Sequence, residues 1–183
     1  YEGYGPGGVA VIVETMTDNR NRTAGSMRHH FDKFGGNLGA SGCVSWSFDK
    51  KGVLVIDNSE GELDEEEVMM DAMEAGADDF EAEGDVFTIY TLPDDFNSVV
   101  ENLSKYTFVS AQIEMVPQNY QKLESEEHIK LMEKLIDIME DDDDVQNVWH
   151  NWEQESQTVQ RPELRLRAFS YPAYGLTIPG GWG

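Results

Sequence analysis

The segment Asp18-Asn19-Arg20-Asn21-Arg22-Thr23, followed by Arg28, His29 and Lys33, is the part of this chain best equipped to meet an anion. Arg20, Arg22, Arg28 and Lys33 are four of its 13 Lys and Arg residues. They fall at a strand-to-helix loop and on the helix that follows, where guanidinium forks and free helix N–H groups both suit phosphate. A second reading has Asp18 and Asn19 making a turn while the arginines pair with nearby acids, and both readings stay open. Trp46 and Phe48, two apart in an alternating run, would share a strand face that could stack bases, or would pack in a core.

The remaining motifs are weaker. Gly3-x-Gly5-x-x-Gly8 has dinucleotide-fingerprint spacing, but it precedes a strand, whereas pyrophosphate binding needs it to follow a strand and open a helix. The adjacent His29 and His30 point about 100° apart on a helix and cannot share a metal as an i, i+4 pair would. Asp79-x-Glu81-x-Glu83-Gly84 starts like a calcium loop, yet its closing acid would fall inside the apolar Val86 to Tyr90 strand, so it reads as a hairpin turn. Asp141 to Asp144 read as solvated acids at a helix end. Cys43 reads as core packing, with no base placed near it. No enzyme, metal site, cofactor or small-molecule substrate is expected.

Charge narrows the partners. The 183 residues hold 36 Asp and Glu, for a net charge of −23. Residues 1–57 balance six basic against six acidic groups, whereas 58–124 hold two against 18 and 125–150 two against nine. Phosphate affinity depends on Lys and Arg displacing counterions, so any polyanion site belongs to the first quarter. The acidic remainder suits a basic protein. The apolar run Val9 to Val13 is far short of the roughly 20 residues that cross a bilayer, and the lone Cys43 fits a reducing compartment. A cytoplasmic protein without a membrane partner is expected.

The elements that must position these groups follow from periodicity. A turn-rich Gly3 to Gly8 feeds a buried strand, Val9 to Val13; Thr23 caps a helix bearing Met27, Phe31 and Phe34 that ends near Lys33 before Gly35-Gly36. Val44 to Phe48 alternates as a strand, turned by Asp49-Lys50-Lys51-Gly52 into Val53 to Ile56. From Gly52 the order is strand, helix (capped by Asp64), strand (Asp79 to Glu83), strand (Val86 to Thr91), helix (capped by Asp94) and strand (Thr107 to Val116). That is the split βαβ pattern of a ferredoxin-like sheet. Ser125 then caps a helix with Ile129, Met132, Leu135, Ile136 and Met139 on one stripe, and Val145 to His150 is the last strand.

The expected class is α+β with two ferredoxin-like α/β units, the second inserted into the first. Residues 1–51 and 118–152 form a discontinuous domain, 52–117 an acidic insert, and 153–183 an irregular tail. Tyr1-Glu2-Gly3-Tyr4-Gly5-Pro6-Gly7-Gly8, Thr17 to Thr23, Gly35-Gly36-Asn37-Leu38-Gly39, Val44-x-Trp46-x-Phe48 and Val145 to Asn151 together resemble the YebC family, which includes bacterial regulators and the mitochondrial translational activator of cytochrome oxidase. The likeness covers about residues 1–152 and leaves out the family's basic N-terminal helical domain, so the chain is expected to be a truncated member. The resemblance implies a non-enzymatic regulator of gene expression that associates with DNA or ribosomal RNA in the complete protein, or acts at the translating ribosome, in the cytoplasm or a mitochondrial matrix. On that implication Arg20, Arg22 and Arg28 are the candidate nucleic-acid contacts. A module in which the acidic insert docks a basic protein is the other expectation.

Overall fold

A computed structural model describes residues 1–154. Of the expected tail, 153–183, all but the first two residues lie outside the described ones. The described chain runs β1 (Glu2–Tyr4), β2 (Ala10–Thr15), α1 (Arg20–Lys33), β3 (Asn37–Leu38), β4 (Phe48–Asp57), α2 (Glu65–Ala75), β5 (Asp79–Glu83), β6 (Val86–Thr91), α3 (Phe96–Asn102), β7 (Ser110–Pro117), α4 (Glu126–Glu140) and β8 (Val145–His150). The α+β class holds.

Two four-stranded sheets form, in the orders β3-β1-β2-β8 and β5-β6-β4-β7, every neighbouring pair antiparallel. The second has the strand order of a ferredoxin-like sheet, and its elements succeed one another as the periodicity predicts. The first reaches the same spatial pattern by another route: β2, α1 and β3 make a split βαβ unit around β1, and β8 returns from the far end of the chain to close the other side of β2.

Amphipathic helices explain the cores. Thr23, Met27 and Phe31, one turn apart, are the buried residues of α1, and Met132, Leu135 and Met139 those of α4. They pack on Val9, Val11, Val13 and Val145. A second core joins Leu54, Ile56, Phe87 and Ile89 of the sheet to Val68 and Ala72 of α2 and Val99 of α3. The other face of β2 is also covered. Ala10 and Ile12 meet Val44 and Phe48, with Met115 and Trp149 beside them, and this third cluster seams the two sheets together.

Several local expectations are corrected. The Gly-rich start contains a strand, β1, before a 3-10 turn at Pro6–Gly8, where Gly7 and Gly8 take φ of 69° and 82° that a side chain would disfavour. Helix α1 begins at Arg20 and is capped by Asn19, whose side chain accepts from the Arg22 N–H; Thr23 is a buried helical residue instead. Val44 to Phe48 is no strand, because Ser45–Ser47 forms a 3-10 turn, and the supposed turn at Asp49 to Gly52 lies inside the ten-residue β4. Asp95, not Asp94, stands at the start of α3, without a side-chain bond.

Gly52 sits where β4 passes beneath α3. A Cβ there would run into the Thr91 hydroxyl and come within 2.6 Å of the Phe96 ring. Gly52→Ala should therefore destabilise the chain by about 1–3 kcal/mol, the usual range for overpacking. A lowered urea midpoint with an unchanged slope is the expected reading, and an unchanged midpoint would contradict the close approach.

Candidate nucleic-acid interface

The cationic segment is organised around one carboxylate. Asp144, in the turn between α4 and β8, receives Arg22 Nη2 at 3.0 Å on both oxygens, the Thr23 hydroxyl at 2.7 Å and the Thr17 hydroxyl at 3.3 Å. The bond from Thr23 and the charge and bonds of Arg22 hold its carboxyl below the ordinary aspartate value, against the opposing effect of burial. Asp18 adds a second acceptor to Arg22 at 2.9 Å. Two positions earlier, Asp142 meets His30 Nε2 at 3.2 Å. The acid run is thus only half solvated: Asp141 and Asp143 are exposed, while Asp142 and Asp144 fold back onto α1.

Arg20, Arg22 and Arg28 all sit on α1 with exposed side chains. Arg22 is engaged by acids, whereas no ion pair is formed by Arg20 or Arg28 among the described residues. At about 100° per residue, Arg22, His29 and Lys33 form a row turned away from the buried Met27 and Phe31, whereas Arg28 stands about 120° round from that row and Arg20, in the first turn, shares the azimuth of the buried stripe. The reading in which the arginines pair with nearby acids holds for Arg22, through Asp18, but nothing in the sequence announced that Asp144, 122 residues downstream, would also claim it.

The opposite face of the first sheet carries aromatic groups. Trp46 is 73% exposed and Tyr4 40%. Trp46 Nε1 donates to the Cys43 carbonyl at 2.9 Å, and the Tyr4 hydroxyl donates to the same oxygen at 3.2 Å. Phe48 is buried in the seam while Trp46 is exposed, so the two share no stacking face and the core reading holds for Phe48. The loop holding Trp46 is braced by Glu2, whose carboxylate accepts from the N–H groups of Gly42, Val44 and Ser45 at 2.8–3.0 Å. Burial pushes the Glu2 carboxyl up, but these bonds outweigh it and leave it below its ordinary value. Cys43 is half-buried, and burial, then the Glu2 charge, raises its thiol.

Beside the seam lies an open cleft of about 400 Å³ lined by Glu2, Ile12, Glu14, Ser45, Lys50, Ile113, Glu114, Met115 and Trp149. Glu114 is 8% exposed and its carboxylate accepts from Gln112 Nε2 at 2.9 Å; burial pushes its carboxyl up to about 7 in spite of that bond. Nothing in the sequence marked Glu114 among 36 carboxylates. Burial lowers His150, whose ring is half-buried with Nδ1 shut off from solvent, to about 4. Among the described residues no three His, Cys, Asp or Glu side chains converge as metal ligands, and no helix is long and apolar enough to cross a membrane.

A family profile described as the TACO1/YebC second and third domain matches residues 1–152. The chain belongs to the TACO1/YebC family. It is 61% identical over 154 residues to a probable transcriptional regulatory protein of Acetivibrio thermocellus, covering 83% of this chain and 63% of that protein. A probable transcriptional regulatory protein of Clostridioides difficile is 57% identical over 157 residues, covering 85% and 65%. The crystal structure of a conserved hypothetical protein, Aq1575, from Aquifex aeolicus superposes with a TM-score of 0.77 at 45% identity, covering 86% of this chain and 65% of that one. The chain thus spans a little under two thirds of the length of these relatives.

Two tests follow from the geometry. Removing the carboxylate in Asp144→Ala should speed amide exchange at residues 17–23 while leaving the second sheet protected; uniform exchange across both sheets would deny Asp144 its local role. For Glu114, the folded chain keeps a proton between about pH 4.5 and 7 that the unfolded chain has released, so its stability falls as pH rises through that window and levels off above it. Glu114→Gln, which retains the acceptor for Gln112, should match the parent near pH 5 and exceed it at pH 8 by on the order of 3 kcal/mol. Equal denaturation midpoints at pH 8 would contradict the burial.

Proposed function

We propose that this chain works within a regulator of gene expression that associates with nucleic acid, DNA or ribosomal RNA, and acts at the translating ribosome, with Arg20, Arg22 and Arg28 meeting phosphate. The observation that carries the reading is α1 itself, on which four Lys and Arg residues and a single acid, Asp32, stand exposed in a chain whose net charge is −23. The names of the bacterial relatives support a regulatory role. Arg20 and Arg28 have their charge available, whereas phosphate must compete with Asp144 and Asp18 for Arg22.

A continuous duplex repels so acidic a chain. A ribosome offers basic protein surface beside RNA phosphate and so suits both of its halves. In this reading residues 1–51 with 118–152 act as the phosphate-facing unit and 52–117 as an inserted acidic one, in the cytoplasm or, in a eukaryote, the mitochondrial matrix. A second reading has the insert dock a basic protein, and one observation favours it: residues 52–104 contain no Lys, Arg or His.

The deciding experiment is sedimentation with translating ribosomes, near physiological salt and with excess duplex DNA, of the protein extended to the full length of its relatives. Retention on the ribosome is expected. Replacing Arg20 and Arg28 by Ala should weaken it about tenfold or more and flatten the salt slope by about 2, near one unit per phosphate contact, with Arg22→Ala weaker in effect. Full binding by the triple Ala variant would remove these arginines from the function, and release by duplex DNA would move it to transcriptional control.

A further inference from the structure

Helix α2 buries Val68 and Ala72 against the second core and leaves three of the chain's eight methionines outside it: Met69 is 41% exposed, Met70 62% and Met73 44%. At about 100° per residue the three cover one flank of the helix, roughly a quarter of its circumference, with Glu66 among them. The opposite flank is occupied. There Glu67 and Asp71 pair with Lys105, and Asn102 Nδ2 donates to the Ala75 carbonyl, tying α2 to the end of α3. The methionine flank therefore faces away from α3, toward the edge of the sheet where β5 runs with Asp79, Glu81 and Glu83.

Three large apolar side chains on one flank of a surface helix lose hydration free energy that burial would recover. Methionine is unbranched and polarizable, and it adapts to partners of irregular shape. The surroundings specify the charge of the partner. Glu65, Glu66 and Glu74 are exposed on α2, Glu60 and Glu62 precede it, and no cationic side chain occurs from residue 52 to 104. Lys105 on the α3 side and Lys51 beside Asp78 are the cations that reach this region, and they leave a clear excess of acids. An apolar strip in a predominantly anionic field is complementary to a cationic strip with an apolar seam, the surface of a basic amphipathic helix.

We infer that Met69, Met70 and Met73 form a docking ridge for a basic amphipathic helical segment of a protein partner. The inference rests on the reading of the acidic insert as a protein-binding surface and adds to it the place and shape of the contact. Apolar contact with the ridge supplies residence time, and the glutamates supply attraction and orientation.

The test uses the full 183-residue chain labelled with carbon-13 at its methionine methyl groups. The probe is a synthetic helix of Leu and Lys with Leu at i, i+3 and i+4; the control has the same composition in scrambled order. The signals of Met69, Met70 and Met73 should shift saturably with the striped peptide, while Met27, Met132 and Met139, enclosed in the first core, stay still. The variant Met69→Gln/Met70→Gln/Met73→Gln, which alters only exposed positions, should weaken binding about tenfold. Glu66→Gln with Glu74→Gln should weaken it less and reduce its salt dependence. If the triple variant or the scrambled peptide binds as tightly as the original pair, the ridge is wrong and the acidic-surface reading survives. If neither peptide binds, both fail. Methyl shifts that grow with protein concentration alone would assign the flank to a second copy of the chain, and shifts produced by an RNA oligonucleotide would assign it to nucleic acid; either overturns the inference.

Discussion

The return of β8 to β2 is the constraint on which the rest of the molecule depends. Val11 pairs with His150 and Val13 with Val148, so a strand near the start of the chain is completed only after a whole second sheet has been made. The entropy of closing so long a loop grows only slowly with its length, which makes such an insertion tolerable once the closing contacts are good. They are good here because three kinds coincide. The strand ladder fixes the register, Val145 enters the first core, and Asp144 just before it fastens the turn to the beginning of α1 through Arg22, Thr23 and Thr17. The Met16 N–H donating to the Asp144 carbonyl at 2.8 Å adds a backbone tie at the same place.

That closure also decides how the sheets meet. With β8 in place, Trp149 stands on the side of β2 away from the helices, next to Ile12, and the start of β4 packs there through Phe48. The seam is apolar at its centre and acidic at its margin, where Glu2, Glu14 and Glu114 share the cleft with Lys50. Glu2 is satisfied by three backbone N–H groups and is stable as an anion, whereas Glu114 has one amide donor and little water. The same residue type therefore titrates in opposite directions within one cleft. His150, whose Nδ1 is buried without a partner, resists protonation as pH falls below about 6.5, so it opposes Glu114 in the pH dependence of stability.

What the sequence disclosed and what it hid divide along physical lines. Helices were legible where periodicity and caps agreed: Asp64 accepting from the Glu67 N–H and Ser125 from the His128 N–H mark the starts of α2 and α4. The hairpin of β5 and β6 was legible too, because a five-residue and a six-residue strand meet at a glycine turn. The short strands β1 and β3 were not. Glu2–Tyr4 and Asn37–Leu38 are strands because of the partners beside them, and their residues show no alternation long enough to register. Val44 to Phe48 misled in the other direction: its alternation is produced by a 3-10 turn that buries Val44 and Phe48 and throws Trp46 outward. The candidate site was legible as a helix and not as a network, since the acid that neutralises Arg22 is remote in sequence and belongs to a run that looked solvated.

The division of charge carries the functional argument furthest. A chain needing only solubility could scatter 36 acids over its whole surface, yet residues 1–57 are electrically balanced and 58–150 hold all of the excess. Within the balanced part, the free cations gather on α1, and the acids nearest to them are spent in holding the fold together at Asp142 and Asp144. The acidic part places its exposed methionines where no cation lies close in sequence, on the flank of α2 that α3 leaves open. On the proposed reading phosphate and basic protein meet different ends of one molecule, and an acidic chain that met naked duplex through α1 would turn its larger, repulsive part toward the same polyanion. A target presenting RNA and basic protein side by side removes that conflict, because the potential that repels phosphate from the second sheet is the one that attracts lysine and arginine to it.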